Sequence, residues 1–389
     1  MQCLFLSTSA MNAERSSRNW SLGQELMSNA PNATPCGHKR RFHPLLLKPA
    51  KSLWGQGKNQ AVCVTVVQVL TAVPAGVNMK TGKTLRLATR KSALALVQSN
   101  WVKEEIAKYW PEINVDIVKF TTKGDKILDV PLAQVGGKGL FVKEIEDALL
   151  KGKADIAVHS LKDVPAELPE GLQVNIFPRR DDPRDALISR DGLRLQELPK
   201  GARIGTSSLR RMAQLRNKRP DFEVISLRGN IDTRLRKLDE GQYDAIILAA
   251  AGLRRAGRQQ RIVQLLEPEV MLPAVGQGAL GIEVRSTDTE VKQILDSIHH
   301  KETSICVRAE RAFLLRLEGG CQVPIGAFGQ IKGQTLELEG MVGDVAGIKI
   351  IRMKKQGVID QPEILGTILG EKILAAGGEE ILREVYGAN

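Results

Sequence analysis

The chain has 389 residues, and its 56 Lys and Arg against 44 Asp and Glu give a formal net charge of +12. The length suffices for two or three domains that each bury a core, and no run of about 18 apolar residues predicts a membrane span. Residues 1–79 hold 8 basic and 2 acidic residues, so half of the net charge lies there. The remainder is too mildly basic to favour a nucleic-acid-binding protein.

The first 79 residues show little helical or strand periodicity before the apolar stretch 61–67, and they contain few acidic residues. This composition is typical of an organelle transit peptide, in which case the protein would act in a stroma or matrix. We nevertheless favour a disordered or spurious extension that precedes a later start at Met79, with the transit peptide as the alternative. A secretory signal is not expected, because no basic stretch precedes the short apolar run at the N-terminus.

Five cysteines are present, and no two of them form a CxxC pair. Three lie within the first 63 residues, which leaves Cys306 and Cys321 for the rest of the chain. This pattern argues against a disulfide framework and against a cysteine-based zinc site. We therefore expect a cytoplasmic protein without a bound metal.

From Thr84 onward the sequence alternates between strand and helix patterns. The first group of elements is predicted, in order, at Leu85–Thr89, Ser92–Tyr109, Val115–Phe120, Phe141–Leu150 and Asp155–His159. A second group begins near Asp185, with strands at 202–205, 223–227 and 243–249 and helices that start at Ser207 or Ser208 and near Asn230. Such alternation predicts an α/β fold with parallel sheets covered on both faces.

A third pattern follows about Lys301. It contains one helix with Glu310 and Arg311, alternating strands between about 325 and 351, and a helical pair over 362–386. We predict three domains from these patterns. Domain 1 comprises 80–178 and 279–296, domain 2 comprises 184–272, and domain 3 comprises 301–389.

Basic residues cluster at the carboxyl ends of the predicted strands, which is the edge where open α/β sheets bind ligands. They are Arg90, Arg180, Arg184, Arg210, Arg211, Arg228, Arg234, Arg254 and Arg255. Arginine suits a bidentate grip on carboxylates or phosphates, and helix N-termini at this edge add backbone N–H donors. The alternative is a solvated basic face, but the recurrence in two groups of elements favours an anionic ligand.

Asp163 follows the buried strand at 155–159 and lies next to Lys162. An ionised carboxylate among cations can stabilise a developing positive charge and move protons. The alternative is a helix cap or a loop ion pair. His159 has no partner at metal-ligand spacing and is expected to be a satisfied histidine at the strand end. The long segment Thr121–Gly139 has the length of a lid or a binding loop.

Cys321 stands in the turn Glu318-Gly319-Gly320-Cys321-Gln322-Val323-Pro324, directly after a helix predicted at 303–317. The two glycines end the helix and Pro324 prevents it from restarting. A thiolate on such a turn is a nucleophile suited to holding a group covalently. The alternative is a small buried apolar side chain.

Taken together, seven segments resemble the hydroxymethylbilane synthase family, also called the porphobilinogen deaminases. In chain order they are LRLATR at 85–90, VGGKGLF at 135–141, AVHSLKDVP at 157–165, GTSSLRR at 205–211, SLRGN at 226–230, LPAVGQG at 272–278 and EGGCQVP at 318–324. The resemblance covers residues from about 80 to 389. The first 79 residues lie outside it.

The resemblance implies two periplasmic-binding-protein-like lobes around a cleft, plus a smaller α+β C-terminal domain that carries the cofactor cysteine. It implies that four porphobilinogen molecules are joined head to tail, with loss of ammonia, into the linear tetrapyrrole hydroxymethylbilane of porphyrin and heme biosynthesis. It also implies one dipyrromethane cofactor per chain, bound through a thioether. No nucleic acid or membrane partner is implied, and we expect a monomer.

At single positions, Cys321 matches the attachment cysteine of the family and Asp163 matches its catalytic aspartate. Positions that match cofactor-binding residues are Ser160, Lys162, Thr206, Ser208, Arg210, Arg211, Arg228 and Arg234. Positions that match substrate-binding residues are Arg90, Lys138, Phe141, Arg180, Arg184 and Arg255. Two positions depart from the family: Ala93 stands where many members have proline, and Gln134 where some have lysine.

Two other classes of protein compete with this interpretation. A two-lobed binding protein for an anionic solute would need a secretion signal or a membrane partner, and it would not need Cys321. A nucleic-acid binder would need a recognised module, and none is found in the sequence. Pyrrole units bound covalently to the polypeptide would distinguish a synthase from both.

Overall fold

The computed structural model describes residues 84–126, 142–318 and 323–387. The predicted extension 1–79 lies outside these ranges, and so does most of the predicted loop Thr121–Gly139. Residues singled out in the sequence that also lie outside the described ranges are Gln134, Lys138, Phe141, Gly319, Gly320 and Cys321.

Strands and helices alternate through most of the described chain. The strands are β1 (Thr84–Arg90), β2 (Asn114–Phe120), β3 (Ile156–Ser160), β4 (Leu172–Ile176), β5 (Asp185–Ser189), β6 (Arg203–Gly205), β7 (Glu223–Ile225), β8 (Ala245–Ala249), β9 (Gln264–Leu266), β10 (Leu280–Arg285), β11 (Ile325–Lys332), β12 (Thr335–Gly343) and β13 (Ile350–Val358). The α-helices are α1 (Ala93–Tyr109), α2 (Lys123–Lys126), α3 (Lys143–Leu150), α4 (Leu209–Lys218), α5 (Ile231–Asp239), α6 (Ala250–Arg255), α7 (Thr289–Asp296), α8 (Lys301–Arg316), α9 (Pro362–Ile373) and α10 (Glu379–Gly387). Short 3-10 turns cover Leu161–Asp163 and Gln259–Arg261, and a π turn covers Leu374–Gly378.

Two five-stranded sheets share one plan. The first has the strand order β2-β1-β3-β10-β4, and the second has the order β7-β6-β8-β5-β9. Apolar clusters line both faces of each sheet, with α1 and α7 on one face of the first sheet and α3 on the other. The two sheets form the two lobes of the predicted α/β fold, which is thereby confirmed.

The expectation of wholly parallel sheets is wrong for one strand in each lobe. β10 runs antiparallel to β3 and β4, and β5 runs antiparallel to β8 and β9. Each of these strands is reached by a crossover from the other lobe, over residues 177–184 for β5 and 267–279 for β10. A strand that enters at the edge facing the other lobe must run away from that edge, whereas its neighbours run towards it.

This topology brings several chain segments to one edge of each sheet. Leu280 at the start of β10 pairs with Ser160 at the end of β3, and Asp185 at the start of β5 pairs with Ala249 at the end of β8. The carboxyl ends of the parallel strands and both crossovers therefore meet at the same edges. Ligand sites of open α/β sheets lie at such edges.

The third part of the described chain is an antiparallel sheet with the order β11-β12-β13, packed against helices α8, α9 and α10. Its core is a single apolar cluster centred on Phe313, which is fully buried. The predicted strand region extends further than expected, because β13 continues to Val358. Among the residues that the structure describes, no helix has the length and apolar character needed to cross a membrane.

Local signals in the sequence place several helix starts correctly. The Ser92 side chain accepts a hydrogen bond from the backbone N–H of Ala95 at 3.4 Å, and the Asn230 side chain accepts one from Thr233 at 2.8 Å. Both are N-caps, whose short polar side chains satisfy otherwise unpaired N–H groups of the first helical turn. The helix predicted from Phe141 begins two residues later, at Lys143.

A buried group of titratable side chains lies where α3 packs against the first sheet. His159 Nε2 lies 2.9 Å from Glu283 Oε2, and both side chains are almost fully buried. Glu146 of α3 is also buried. Burial, and then the charge of Glu283, raise the pKa of Glu146 to about 7, although His159 acts in the opposite direction. Glu146 is therefore protonated in the folded protein at mildly acid pH.

This group predicts a pH-dependent effect of Glu146→Gln on stability. The unfolded chain loses the Glu146 proton near its ordinary pKa of 4.5, whereas the folded protein keeps it up to about pH 7. The stabilising contribution is thus present below the unfolded pKa and is lost as pH rises through the folded pKa. Gln imitates the protonated acid, so the variant should gain free energy of unfolding relative to wild type between about pH 5 and about pH 8, by about 3 kcal/mol at most.

Urea unfolding at about pH 5 and at about pH 8 measures the gain in free energy of unfolding. Asp147→Asn is the matched control, because Asp147 is the exposed neighbour of Glu146 on the same helix. An equal stability difference between Glu146→Gln and wild type at both pH values would contradict the prediction.

Candidate functional site

The first lobe contributes the end of β3 and the turn that follows it. Ser160 ends the strand and its Oγ accepts a hydrogen bond from Gln98 of α1 at 2.8 Å. The 3-10 turn then carries Lys162, which is half-buried, and Asp163, which is exposed. Two apolar residues of this segment, Leu161 and Val164, are buried and fix the turn to the core. The turn thus presents Lys162 and Asp163 at the edge of the sheet.

The second lobe contributes the start of α4. Ser208 is its N-cap residue, and the carbonyl of Ser208 accepts the backbone N–H of Met212 at 2.9 Å. Thr206 is buried and its Oγ1 accepts the N–H of Ser208 at 3.2 Å. These contacts start the helix directly after β6, so Arg210 and Arg211 fall in its first turn. The positive end of the helix dipole adds to their charge.

Arg210 and Arg211 share one buried carboxylate, that of Asp185. Arg210 Nη1 donates to Asp185 Oδ2 at 2.7 Å and to the carbonyl of Leu272 at 2.6 Å. Arg211 donates to Asp185 Oδ1 through Nε at 3.0 Å and Nη2 at 2.7 Å, and through Nη1 to the carbonyl of Ile247. Burial alone would raise the pKa of Asp185, but the charges of both arginines outweigh burial and lower it well below its ordinary value.

Cations of the two lobes lie close enough to influence one another. Burial lowers the pKa of Lys162, and the charges of Arg211 and Arg210 lower it further against the opposing effect of Asp163 and Asp185. Burial, followed by the charges of Arg211 and Arg228, lowers the pKa of Arg234 to about 10, against the opposing effect of Asp163. Such crowding of positive charge is costly in the absence of an anion. An anionic ligand at this edge would relieve it.

One buried donor of this cluster is left without an acceptor within the described ranges. Arg210 Nε is buried and has no hydrogen-bond partner among the described residues. A buried donor without a partner typically costs about 1–3 kcal/mol.

The other two arginines that the second lobe contributes to this cluster lie near the start of α5. Arg234 Nε donates to the carbonyl of Gly229 at 2.7 Å. Arg228 lies half-buried three residues after the end of β7.

Three of the predicted substrate-binding arginines hold protein groups at the crossovers: Arg180 and Arg184 lie in the first crossover, and Arg255 at the end of α6 contacts the second. Arg180 forms two hydrogen bonds with the fully buried Glu310 and donates to the carbonyl of Gln277 at 2.8 Å. Arg184 pairs with Asp182 and Glu267, and Arg255 donates to the carbonyl of Gly278 at 2.6 Å. The remaining described member, Arg90, is half-buried at the end of β1. The structure therefore separates a crossover group from the cluster around Asp163.

Reasoning from the sequence missed two carboxylates that organise this region. Asp185 joins Arg210 to Arg211, and Glu310 joins Arg180 to α8. Asp185 gave one usable signal, because it is a charged residue that directly precedes the apolar run Ala186–Ile188 at the start of a buried strand. Glu310 gave none, because a glutamate within a helix is common and its partner Arg180 lies 130 residues away in the sequence.

The helix before Cys321 ends within one residue of its predicted end, whereas Gly319 and Gly320, which were predicted to end it, lie outside the described residues. α8 ends at Arg316, Leu317 is its C-cap, and Glu318 has a positive φ of 51°. A left-handed residue commonly terminates a helix at this position. Cys321 itself, together with Lys138 and Phe141, lies outside the described residues, so its role stays a prediction.

Asp185→Asn should destabilise the protein strongly. Asn keeps the shape and part of the hydrogen bonding but removes the only negative charge that contacts both buried guanidinium groups among the described residues. Removing one partner of a buried ion pair typically costs about 3–5 kcal/mol. The melting temperature and the urea midpoint measure the loss, with Asp239→Asn as control, because Asp239 pairs with Arg261 at an exposed site. Equal effects of the two substitutions would show that Asp185 is not needed to balance these charges.

Comparison with known proteins gives consistent matches across the described lobes and the C-terminal sheet. The family model for the porphobilinogen deaminase dipyromethane cofactor binding domain matches residues 85–293, and the model for the porphobilinogen deaminase C-terminal domain matches residues 304–375. Together these two matches cover most of the residues that the structure describes.

Curated relatives match over nearly their whole length. Porphobilinogen deaminase of Geotalea uraniireducens is 55% identical over 304 residues, which are 78% of this chain and 95% of the relative. The enzyme of Geobacter metallireducens is 56% identical with the same coverage, and that of Syntrophobacter fumaroxidans is 53% identical over 79% of this chain and 100% of the relative. Among solved structures, the methionine binding protein MetQ aligns at 12% identity with a TM-score of 0.36 over 55% of this chain and 89% of its own, which is too distant to support a conclusion.

Proposed function

The chain belongs to the porphobilinogen deaminase family, and we propose how its residues share the work of that family's reaction. Its activity is the synthesis of hydroxymethylbilane, in which four porphobilinogen molecules are joined head to tail with release of ammonia. A dipyrromethane cofactor primes this transferase reaction. The observation that carries the assignment of residues is the convergence of cations from both lobes around Asp163.

The described residues fit an anionic cofactor of this kind. Dipyrromethane carries carboxylate side chains, and the buried Arg210 Nε is a donor without a partner among the described residues. Carboxylate oxygens are the acceptors that a guanidinium group binds best. We assign Cys321 as the covalent attachment point. The residues assigned to hold the carboxylates are Ser160, Lys162, Thr206, Ser208, Arg210, Arg211, Arg228 and Arg234.

When bound, the dipyrromethane supplies the pyrrole to which the first porphobilinogen is joined. The chain's own contribution at the reacting end is Asp163. As ammonia leaves porphobilinogen, positive charge develops on the substrate, and the exposed Asp163 carboxylate can stabilise it and accept or return a proton. Lys162 and Arg234, whose pKa values are lowered by burial and raised by the charge of Asp163, would keep carboxylates of the ligand near it.

The residues assigned to the incoming substrate and the growing chain are Arg90, Lys138, Phe141, Arg180, Arg184 and Arg255. For Arg180, Arg184 and Arg255 this assignment requires that the carboxylate and carbonyl partners at the crossovers share the guanidinium groups with the substrate. The crossovers connect the two lobes, so such sharing would couple substrate binding to the relative position of the lobes.

The protein acts on a small molecule, porphobilinogen. We further propose that it works as a cytoplasmic monomer with domains at 80–178 with 279–296, 184–272 and 301–389, without a nucleic-acid or membrane partner. If residues 1–79 are a transit peptide, the site of action is an organelle stroma or matrix instead. The two sheets and the C-terminal sheet, each with apolar clusters of its own, support the three-domain division.

Incubation of the purified protein with porphobilinogen tests the assigned activity. We expect one ammonia released for each porphobilinogen consumed and hydroxymethylbilane as the product. Reversible binding of porphobilinogen without release of ammonia would instead identify a two-lobed binding protein.

A further inference from the structure

A single arginine of the C-terminal part holds the backbone that follows Asp163. The Arg311 guanidinium donates hydrogen bonds to three successive carbonyl groups, those of Val164 at 3.4 Å, Pro165 at 2.8 Å and Ala166 at 3.2 Å. These residues connect the 3-10 turn to β4 and belong to no helix or strand. Their carbonyl groups thus depend on a side chain from a distant part of the sequence.

A second contact on the same face of α8 supports this attachment. Val307 precedes Arg311 by four residues, which places both on one side of the helix. Val307 is fully buried in an apolar cluster with Leu161 and Val164, which flank Lys162 and Asp163. The Asp163 turn is therefore fixed to α8 by apolar packing at one point and by three hydrogen bonds one helical turn later.

The role of Arg311 differs from that of other arginines on α8. Arg308 and Arg316 are exposed and pair with Glu363 and Glu371. Within the part of the chain that the structure describes, Arg311 forms no ion pair, and its hydrogen bonds go to the carbonyl groups of residues 164–166. Burial lowers its pKa, while the charge of Glu283 acts in the opposite direction. A guanidinium group that is partly removed from water destabilises the folded state unless its N–H groups form hydrogen bonds. The planar arrangement of these N–H groups allows Arg311 to bind several acceptors at once.

We propose that Arg311 is a positioning residue that fixes the Asp163 segment to α8. This inference rests on the proposed function, because it needs Asp163 to act on the substrate and Cys321 to hold the cofactor. The helix α8, which carries Arg311, ends at Arg316, and Cys321 follows five residues later in the sequence, outside the described residues. A displacement of about 1 Å at a reacting group can cost on the order of 10²-fold in rate.

The test compares Arg311→Met and Arg311→Lys with the matched control Arg308→Met, all as loaded enzyme. Arg311→Met should lower kcat about 10²-fold with KM for porphobilinogen nearly unchanged and cofactor loading complete. Arg311→Lys keeps the charge and part of the hydrogen bonding, so it should recover part of kcat. Arg308→Met should resemble wild type. Incomplete loading or lower stability, with normal kcat per loaded molecule, would show a merely structural role and overturn the proposal.

A double-mutant cycle separates this inference from the proposed function. Single-turnover release of ammonia is measured for Asp163→Asn with and without Arg311→Met. If Arg311 acts through Asp163, adding Arg311→Met to Asp163→Asn should cause little further loss, because the loss is already present. Independent, multiplicative losses would contradict the proposal. A normal rate in Asp163→Asn alone would instead overturn the catalytic assignment of Asp163. If Arg311→Met fails to fold, the same cycle with Arg311→Lys decides the question.

Discussion

Asp163→Asn should lower the rate of ammonia release from porphobilinogen by several orders of magnitude while the protein stays folded and loaded with cofactor. Loss of one electrostatic stabiliser typically costs about 10²–10³ in rate, and loss of a proton-transfer group adds about 10²–10⁴. Asn preserves the size and much of the hydrogen-bonding capacity of Asp, so the missing charge is the main change. Because Asp163 is exposed, the substitution should disturb packing little.

Two comparisons sharpen this prediction. Asp163→Glu keeps the charge at a shifted position and should retain more activity than Asp163→Asn. When supplied with preformed tetrapyrrole, Asp163→Asn should still carry covalent cofactor, because attachment is assigned to Cys321. A near-normal single-turnover rate in Asp163→Asn would mean that the carboxylate only balances Lys162 and Arg234.

Cys321→Ala should abolish both covalent cofactor and activity. No thioether can form without the sulfur, so the purified variant should carry no pyrrole units and should release no ammonia from porphobilinogen. The variant should also melt at a lower temperature, since a ligand held in the folded state stabilises that state. Intact mass, product formation and thermal unfolding measure the three effects.

Cys306→Ala is the matched control for this substitution. Cys306 is buried in the core of the C-terminal part, where burial and then the charge of Glu310 raise the pKa of its thiol to about 12. Its thiolate is therefore scarcely present at neutral pH, and a thiol rather than a thiolate is a poor nucleophile. Cys306→Ala should remain fully loaded and active. Covalent pyrrole on Cys321→Ala would refute the assignment of the anchor.

Local features of the fold could be predicted well from the sequence. The N-caps at Ser92 and Asn230 and the end of α8 depend on residues within a few positions of each other. The antiparallel strands β5 and β10 could not be inferred in this way, because their direction depends on the two crossovers between the lobes. Alternation of strands and helices reports the elements but not which sheet each strand joins.

The site was predictable in its residue types and less so in its contacts. The basic character of Arg210 and Arg211 is visible in the sequence, but their common partner Asp185 precedes them by 25 and 26 residues. Arg180 was expected to hold substrate, yet its guanidinium forms an ion pair with Glu310, which is 130 residues away in the sequence. A carboxylate that organises arginines is recognised only once the fold has brought the two together.

The mass of the tryptic peptide that follows Arg316 and contains Cys321 gives the most direct test of the covalent anchor. In purified wild-type protein this peptide should exceed its sequence mass by two linked pyrrole units, and the same increment should be absent from the peptide that contains Cys306. An unmodified Cys321 peptide from protein that converts porphobilinogen to hydroxymethylbilane would contradict the account.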